Sequence, residues 1–527
     1  MQNKNPGNLL LTNGRIFTGP PWKIPVDALA VQNGKVVAFG DEARGLRNEF
    51  GADEIINCKG AMVLPGFIDS HLHLANLGES LSQLSFPEKS TAEEIRQAVA
   101  REVNRRETGE WIVGGKWNRQ HLGGFPDRSL LDPVSPENPV ALRSRDMHSL
   151  LLNSRAIESL DIAGKLNSSL GKYISRDGNG APTGILQEDT IRIFEEERPQ
   201  PTPEELRRFY QQAGDHCLQH GITSVHSIER IPGWRTLRNM HSTNKIPIRT
   251  GVLLPIDALD AVIEAGEYSG HGDNWLWTIG MKIFTDGALG SQSAWMKEPY
   301  EQSDDYGMAL TDPETFREQI IRAHENRLSL GIHAIGDAAV KMTLQALNSA
   351  QQKKDLLDRI EHLQVFDPAD LDILPTNLTA SVQPIHLFGD REPADRVWGE
   401  RARYAYAFRA LLDAGIRLAF GSDAPVEAVN PWSGILAAVE RRKSASEPSW
   451  YPEEQLSLEE SLTAYTANGA TSAYRKGRLG SLDIGAYGDI VILNCDPWDI
   501  PATEYETVKP VMTILNGNVV YSNGTIG

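Results

Sequence analysis

Eight short apolar runs, most of them separated by helical stretches, set the tightest limit on how this chain can fold. The runs are Met62–Ile68, Thr223–Ser227, Ile248–Leu254, Thr278–Phe284, Leu328–His333, Ile360–Leu363, Leu378–Gln383 and Ile416–Phe420. Residues 316–326, 338–350 and 405–414 are among the segments with a helical pattern between them. Strand and helix in alternation is the pattern of a parallel sheet with covering helices. Eight repeats of it point to an α/β fold, the (β/α)8 TIM barrel. An open doubly wound sheet would carry a Gly-rich turn after its first strand, and none follows Ile68.

The two ends share another pattern. Residues 9–17 and 28–39 are apolar strands broken by Asn-Gly, and 489–493, 511–515 and 518–521 repeat it around Asn516-Gly517. Asn-Gly suits a type I′ turn, which needs positive φ at both central positions. Such short hairpins cannot bury a face alone. The expectation is one small β-sandwich domain built from both termini, residues 1–64 and 476–527, with the barrel at 65–475 between them. Residues from about 80 to 205, between the first two strands, are too many for a loop and read as an inserted subdomain.

Charge narrows the partners. With 52 basic and 70 acidic side chains the net charge is −18, which repels nucleic acid and anionic membrane surfaces. No apolar run approaches about 18 residues, and the amino terminus has no secretory pattern, so the expected location is the cytoplasm. The cysteines Cys58, Cys217 and Cys495 are far apart, which argues against both a disulfide scaffold and a thiolate zinc finger.

The chemistry lies at the strand ends. His71 and His73 follow the first apolar run, and in extended chain residues two apart point to the same side. Paired imidazoles suit zinc and similar ions, although a lone His-x-His is more often a surface or core pair. What gives this pair weight is that His333, His362 and Asp423 also fall at the carboxyl ends of expected strands, the face where barrel active sites are built. Lys282 sits inside an apolar strand, where burial favours the neutral amine. It can pair with a carboxylate such as Asp286, snorkel to the rim, or add carbon dioxide as a carbamate that bridges two metal ions.

These residues resemble a known family. Pro65-Gly-Phe-Ile-Asp-Ser-His71-Leu-His73, His333, His362 and Ser422-Asp423 are similar to the motifs of the amidohydrolase superfamily of metal-dependent hydrolases. The local pieces Lys282-Ile-Phe-Thr-Asp-Gly-Ala-Leu-Gly, His333-Ala-Ile-Gly-Asp337, Arg359-Ile-Glu-His362, Ser422-Asp-Ala-Pro-Val-Glu, Asp146-Met-His148 and Pro182-Thr-Gly-Ile-Leu-Gln-Glu188 resemble its third family. Within it they are closest in kind to the YtcJ-like branch that includes N-substituted formamide deformylase. The resemblance implies that His71, His73 and Asp423 hold one divalent ion, zinc in type, and that His333 and His362 hold a second. Carbamylated Lys282 would bridge them, and Asp423 would be the general base and acid.

Related ring deaminases typically place a glutamate three residues after the fifth-strand histidine; here position 336 is Gly and the next residue is Asp337. Related N-acyl-D-amino-acid deacylases typically use a cysteine ligand, and no cysteine here lies at an expected strand end. His148 is expected to stabilise an oxyanion from the insertion, or else to belong to a capping turn. Trp117, His121, His226, Asp286 and Gln383 are expected around the substrate, with packing as the competing reading for Trp117 and His226. The expected function is hydrolysis of a C–N bond in a small amide-type molecule, an N-substituted formamide being one form. Ester or lactone hydrolysis, ring deamination, or a silent metal-stabilised binding or regulatory protein are the alternatives. A homodimer is the default expectation for a large enzyme.

Overall fold

The computed structural model describes residues 5–145, 148–167, 171–187, 190–350 and 355–526, without the side chain of Arg192. Asp146 and Glu188 of the quoted motifs therefore lie outside the described residues. The chain forms two compact units, one made of residues up to Gly78 together with Leu206 onward, the other of Glu79–Glu205.

The first unit contains eight parallel strands. They are β1 (Phe67–Leu72), β2 (Ile222–Ile228), β3 (Arg249–Pro255), β4 (Leu276–Phe284), β5 (Ser329–Ala334), β6 (Arg359–His362), β7 (Thr379–Val382) and β8 (Arg417–Phe420). Each pairs with the next in sequence order. Between β8 and β1 the join is made just past the strands, where Asp423 N–H donates to His71 O at 2.7 Å and His73 N–H to Ala424 O at 2.9 Å. Their interiors are buried apolar residues such as Val225, Val252, Met281, Ile332 and Ile360, as strands covered on both faces require.

The first expected strand proves to be two. Met62–Pro65 pairs with Ile490–Leu493 and with residues 15 and 16 in the sheet of the termini, and only Phe67–Leu72 belongs to the barrel. The break is at Gly66, whose N–H donates to Asp489 O at 2.9 Å. A Cβ there would lie 2.3 Å from the Thr223 hydroxyl oxygen, so no other residue fits the crossing. Pro65-Gly66 is a turn signal inside the run, but the apolar residues on either side carry no mark of which sheet they join.

Strands from both termini share one eight-stranded sheet, in which Leu9–Ile16 lies between Val26–Gln32 and Met62–Pro65. Two Asn-Gly pairs form the mirror-image turn, with φ of 50° and 72° at Asn33-Gly34 and 55° and 77° at Asn516-Gly517. Asn13-Gly14 instead makes a bulge inside Leu9–Ile16, where the register slips between Thr12 and Ile16. Leu11, Val31, Val63, Ile490 and Ile514 pack as a core of the sheet's own. Buried Arg249 of β3 ties this sheet to the barrel: its Nε donates to Asp489 Oδ2 at 2.6 Å and its Nη2 to Oδ1 at 3.0 Å.

The second unit holds six strands in the order Ile174–Arg176, Pro182–Gln187, Ser149–Leu152, Val140–Ser144, Ile112–Trp117 and Leu84–Ser85. Its helix Ala92–Val103 begins at a reciprocal cap between Thr91 and Glu94. No described helix is long and apolar enough to cross a membrane.

Two predictions follow from the first unit. Asp489→Ala strands the buried guanidinium of Arg249, so chemical denaturation should show a loss of about 3–5 kcal/mol; a loss under about 1 kcal/mol would make the pair dispensable. The second concerns Glu229, just past β2, whose buried carboxyl accepts O–H bonds from Ser227 at 2.6 Å and Tyr210 at 2.7 Å. Burial raises it from 4.5 to about 7, against those two donors. The folded chain thus keeps a proton that the unfolded chain releases, and stability falls as pH rises from 4.5 through about 7. Melting curves from pH 4 to 8 should fall more steeply for the wild type than for Glu229→Gln. Parallel curves would contradict the shift.

Candidate metal centre

The backbone bonds between Asp423 and His71 bring the ends of β1 and β8 into register, and the side chains follow. His71 Nε2 and His73 Nε2 each lie 3.3 Å from the same oxygen, Asp423 Oδ1. His71, His362 and Asp423 can each offer a ligand atom, and the three atoms all lie within 4.8 Å of one another. The rings form a chain: His73 to His71 is 5.9 Å between centroids, His71 to His362 4.9 Å, and His362 to His333 4.7 Å. Gly421 makes the approach of β8 possible, because a Cβ there would sit 2.4 Å from the His71 nitrogen. Asp69 fastens the same join, its Oδ1 accepting the N–H groups of His71 and Ser422 at 3.1 Å each.

His71 and His333 each have one nitrogen committed. His71 Nδ1 is 2.6 Å from Glu361 Oε2, which leaves Nε2 as the atom directed at Asp423. His333 Nε2 is 2.9 Å from the carbonyl oxygen of Gly287, an acceptor, so the proton is on Nε2 and the lone pair on Nδ1. Burial, with His333 and His71 adjacent, pulls His362 well below its ordinary value. Burial and neighbouring Lys282 pull His333 down to about 3. Both imidazoles are therefore neutral. For His71 the balance is reversed, since the Glu361 and Asp423 carboxylates outweigh burial and raise it. Asp423 stays well below the usual carboxylate range, because His71 and His73 prevail over its burial.

Beneath these residues lies a buried ionic network. Arg359 donates from Nη2 to Glu361 Oε2 at 3.1 Å, to Ser381 Oγ at 2.9 Å and to the carbonyl oxygen of Ser70. Its Nη1 lies 3.1 Å from His226 Nδ1. Glu361 has no exposed surface and still remains well below its ordinary value, with Arg359 and His71 overcoming burial. Lys282, on β4, is 2% exposed; its ammonium nitrogen has no hydrogen-bond partner among the described residues. Burial lowers it to about 8 although Glu361 and Asp423 act in the opposite direction. Two residues on, Phe284 is 46% exposed and its ring centroid is 4.8 Å from that nitrogen.

The five residues expected around substrate, and His148, are placed as follows. His226 belongs to the Arg359 network. Asp286 accepts backbone N–H groups of Trp295 at 2.9 Å, Ile335 at 3.1 Å and Gly336 at 2.8 Å, and burial raises it to about 7. It holds the loops beyond β4 and β5 in place. Gln383 is buried and donates to Ser381 O at 3.1 Å. Trp117 is a core residue of the second unit, donating its indole N–H to Leu142 O at 2.8 Å. His121 and His148 are exposed residues of that unit. Cys58 and Cys217 are buried, and burial pushes the Cys58 thiol up to about 12.

Sequence reasoning passed over three groups. Glu361 and Arg359 were visible as charged residues two apart in an apolar strand, a sign that both face one interior. His386 follows β7 in Pro384–His386, and its Nε2 lies 3.9 Å from Asp423 Oδ2.

Known proteins resemble this chain over most of its length. A model of the amidohydrolase family matches residues 54–521. "Protein LONG AFTER FAR-RED 3" of Arabidopsis thaliana is 33% identical, over 93% of this chain and 88% of its own. "Putative amidohydrolase YtcJ" of Bacillus subtilis is 30% identical over 94% and 96%. "N-substituted formamide deformylase" of Arthrobacter pascens is 26% identical over 98% of each chain. Among solved structures, an uncharacterized metal-dependent hydrolase from Pyrococcus furiosus superposes with a TM-score of 0.78 at 30% identity, covering 93% of this chain and 99% of that one. On the strength of a match that runs from the sheet of the termini through all eight barrel strands, this chain belongs to the amidohydrolase family.

Proposed function

We propose that the chain is a metal-dependent hydrolase that cleaves the C–N bond of a small amide, of which N-substituted formamides are the leading form. The observation that carries the reading is the 3.3 Å separation of Asp423 Oδ1 from both His71 Nε2 and His73 Nε2. Tetrahedral ligands about 2.0–2.1 Å from zinc are themselves roughly 3.3 Å apart, so the spacing fits a shared ion. The donor set fits as well: imidazoles with a carboxylate suit zinc and similar borderline ions. In this reading His71, His73 and Asp423 hold one ion and His333 and His362 a second. The His71, His362 and Asp423 group spans the two sets, which supports a single shared centre.

Lys282 would complete it. A buried amine lowered to about 8 has an accessible neutral form, and addition of carbon dioxide replaces an unpartnered cation by an anion with two oxygens. Divalent ions held there by these residues would lower the pKa of water and polarise a carbonyl. The chain's own residues do the rest. Glu361 fixes His71 through Nδ1, and Arg359 keeps Glu361 ionised. Asp423 is the general base that takes a proton from water and then the general acid that gives it to the leaving nitrogen. The C–N pair stays on that nitrogen, and an amine departs.

Hydrolysis is favoured over ring deamination by the loop after β5. Position 336 is Gly, and the Asp337 carboxylate accepts the N–H of Lys297 at 2.8 Å. The relatives point the same way only in part: one is named for formamide deformylation, one as a putative amidohydrolase, and the plant protein for no reaction at all.

Turnover of a formamide and amide panel should disappear with a chelator, return with zinc, and accompany about two metal equivalents per chain. Zinc-replete protein that cleaves nothing in the panel would refute the reading. Asp423→Asn should retain most of the metal and lose about 10²–10⁴-fold in kcat; near-normal turnover would require a different base. Glu361→Gln removes the carboxylate that grips His71 and should weaken zinc about 10–100-fold in chelator competition. An unchanged zinc affinity would make Glu361 a stability residue only.

A further inference from the structure

His386 is the imidazole around the centre to which nothing above assigns a role. It sits in the turn Pro384–His386 directly after β7, its backbone N–H donating to Gln383 O at 3.2 Å, and helix Leu387–Trp398 follows at once. The side chain is 15% exposed, its ring centroid is 6.4 Å from that of His362, and its Nε2 is enclosed without a hydrogen-bond partner among the described residues. An enclosed ring nitrogen left unpaired costs about 1–3 kcal/mol, so a partner for it is worth having.

The nearest polar atom across from it is informative. Asp423 uses Oδ1 toward His71 and His73, and Oδ2 is the oxygen that faces His386. At 3.9 Å the two are too far apart to bond directly. One atom about 2.9 Å from each can bond both, the two bonds then meeting at roughly 85°, tighter than the tetrahedral angle of about 109°.

We infer that His386 accepts the N–H of the substrate's leaving nitrogen while Asp423 Oδ2 protonates it, so that the site selects amides bearing one N–H. This rests on the amide-hydrolase reading and narrows it. Nitrogen enters carrying one hydrogen and one substituent. The bond to His386 turns its lone pair toward the Asp423 carboxyl. The C–N bond then breaks with its electrons on nitrogen, the Asp423 proton is transferred, and a primary amine leaves with a carboxylic acid as the other product. An N,N-disubstituted amide has no hydrogen for His386, and an ester oxygen has neither that hydrogen nor the same need of a proton.

The test compares an N-alkylformamide, its N,N-dialkyl counterpart and an alkyl formate on zinc-loaded wild type, His386→Ala and His386→Gln. Metal content is measured on each protein. For His386→Ala the expected result is a fall of about a hundredfold in kcat on the N-alkylformamide. KM and zinc content should be nearly unchanged, and the other two substrates little affected. His386→Gln, whose amide oxygen can accept the same N–H, should recover part of the loss. An equal fall on all three substrates, or loss of zinc, would overturn the assignment while leaving the amide-hydrolase reading intact. If wild type turns over none of the three, the reaction itself falls and the role of His386 with it.

Discussion

A carboxylate with no exposed surface, Glu361, is the group on which the arrangement depends. Inside a barrel such a charge is tolerable only if it is fully paired, and the pairing here links four strands. Arg359 of β6 reaches it at 3.1 Å and also binds Ser381 of β7 and the Ser70 carbonyl of β1, while lying against His226 of β2. On its other side Glu361 holds His71 at 2.6 Å. The network therefore does two jobs. It satisfies buried charge at the barrel's interior, and it fixes which nitrogen His71 turns toward Asp423. A hydrophobic pair could fill that space with less desolvation cost, but it could not set the tautomer of His71.

The upper ends of the strands show the cost of this aim. His362, Leu363 and Asp423 adopt left-handed backbone conformations, with φ of 71°, 41° and 58°. Such conformations in residues other than glycine cost of order 1–3 kcal/mol each, and they persist where surrounding bonds over-determine them. For Asp423 those bonds are its own N–H to His71 O at 2.7 Å and the grip of Asp69 on the neighbouring residue. Two of the three, His362 and Asp423, are residues proposed to bind metal, where a fixed direction matters more than local stability.

Much of this was legible from residue order. Eight alternating units, and histidines or aspartate at the ends of the first, fifth, sixth and eighth, were enough to gather His71, His73, His333, His362 and Asp423 at one face. What remained hidden was of two kinds. The destination of each half of the first apolar run is hidden because an apolar residue looks the same in either sheet; Pro65-Gly66 marks a break, and the close approach of Thr223 sets the boundary there. Beyond the Arg359–Glu361 pair itself, the roles of Arg359, Glu361 and His386 depend on partners between 22 and 290 positions away in sequence. Periodicity carries no information about such pairs. Asp286 and Trp117 illustrate the converse: a polar or aromatic residue beside a motif draws attention, and the structure gives each a positioning or packing duty instead.

The most direct measurement of the proposed centre is anomalous diffraction at the zinc edge from crystals of the zinc-loaded chain. Two peaks about 3.5–4 Å apart are predicted. One should lie about 2.0–2.2 Å from ligand atoms of His71, His73 and Asp423, and the other beside His333 and His362. A single peak, or zinc bound anywhere other than at these residues, would contradict the account.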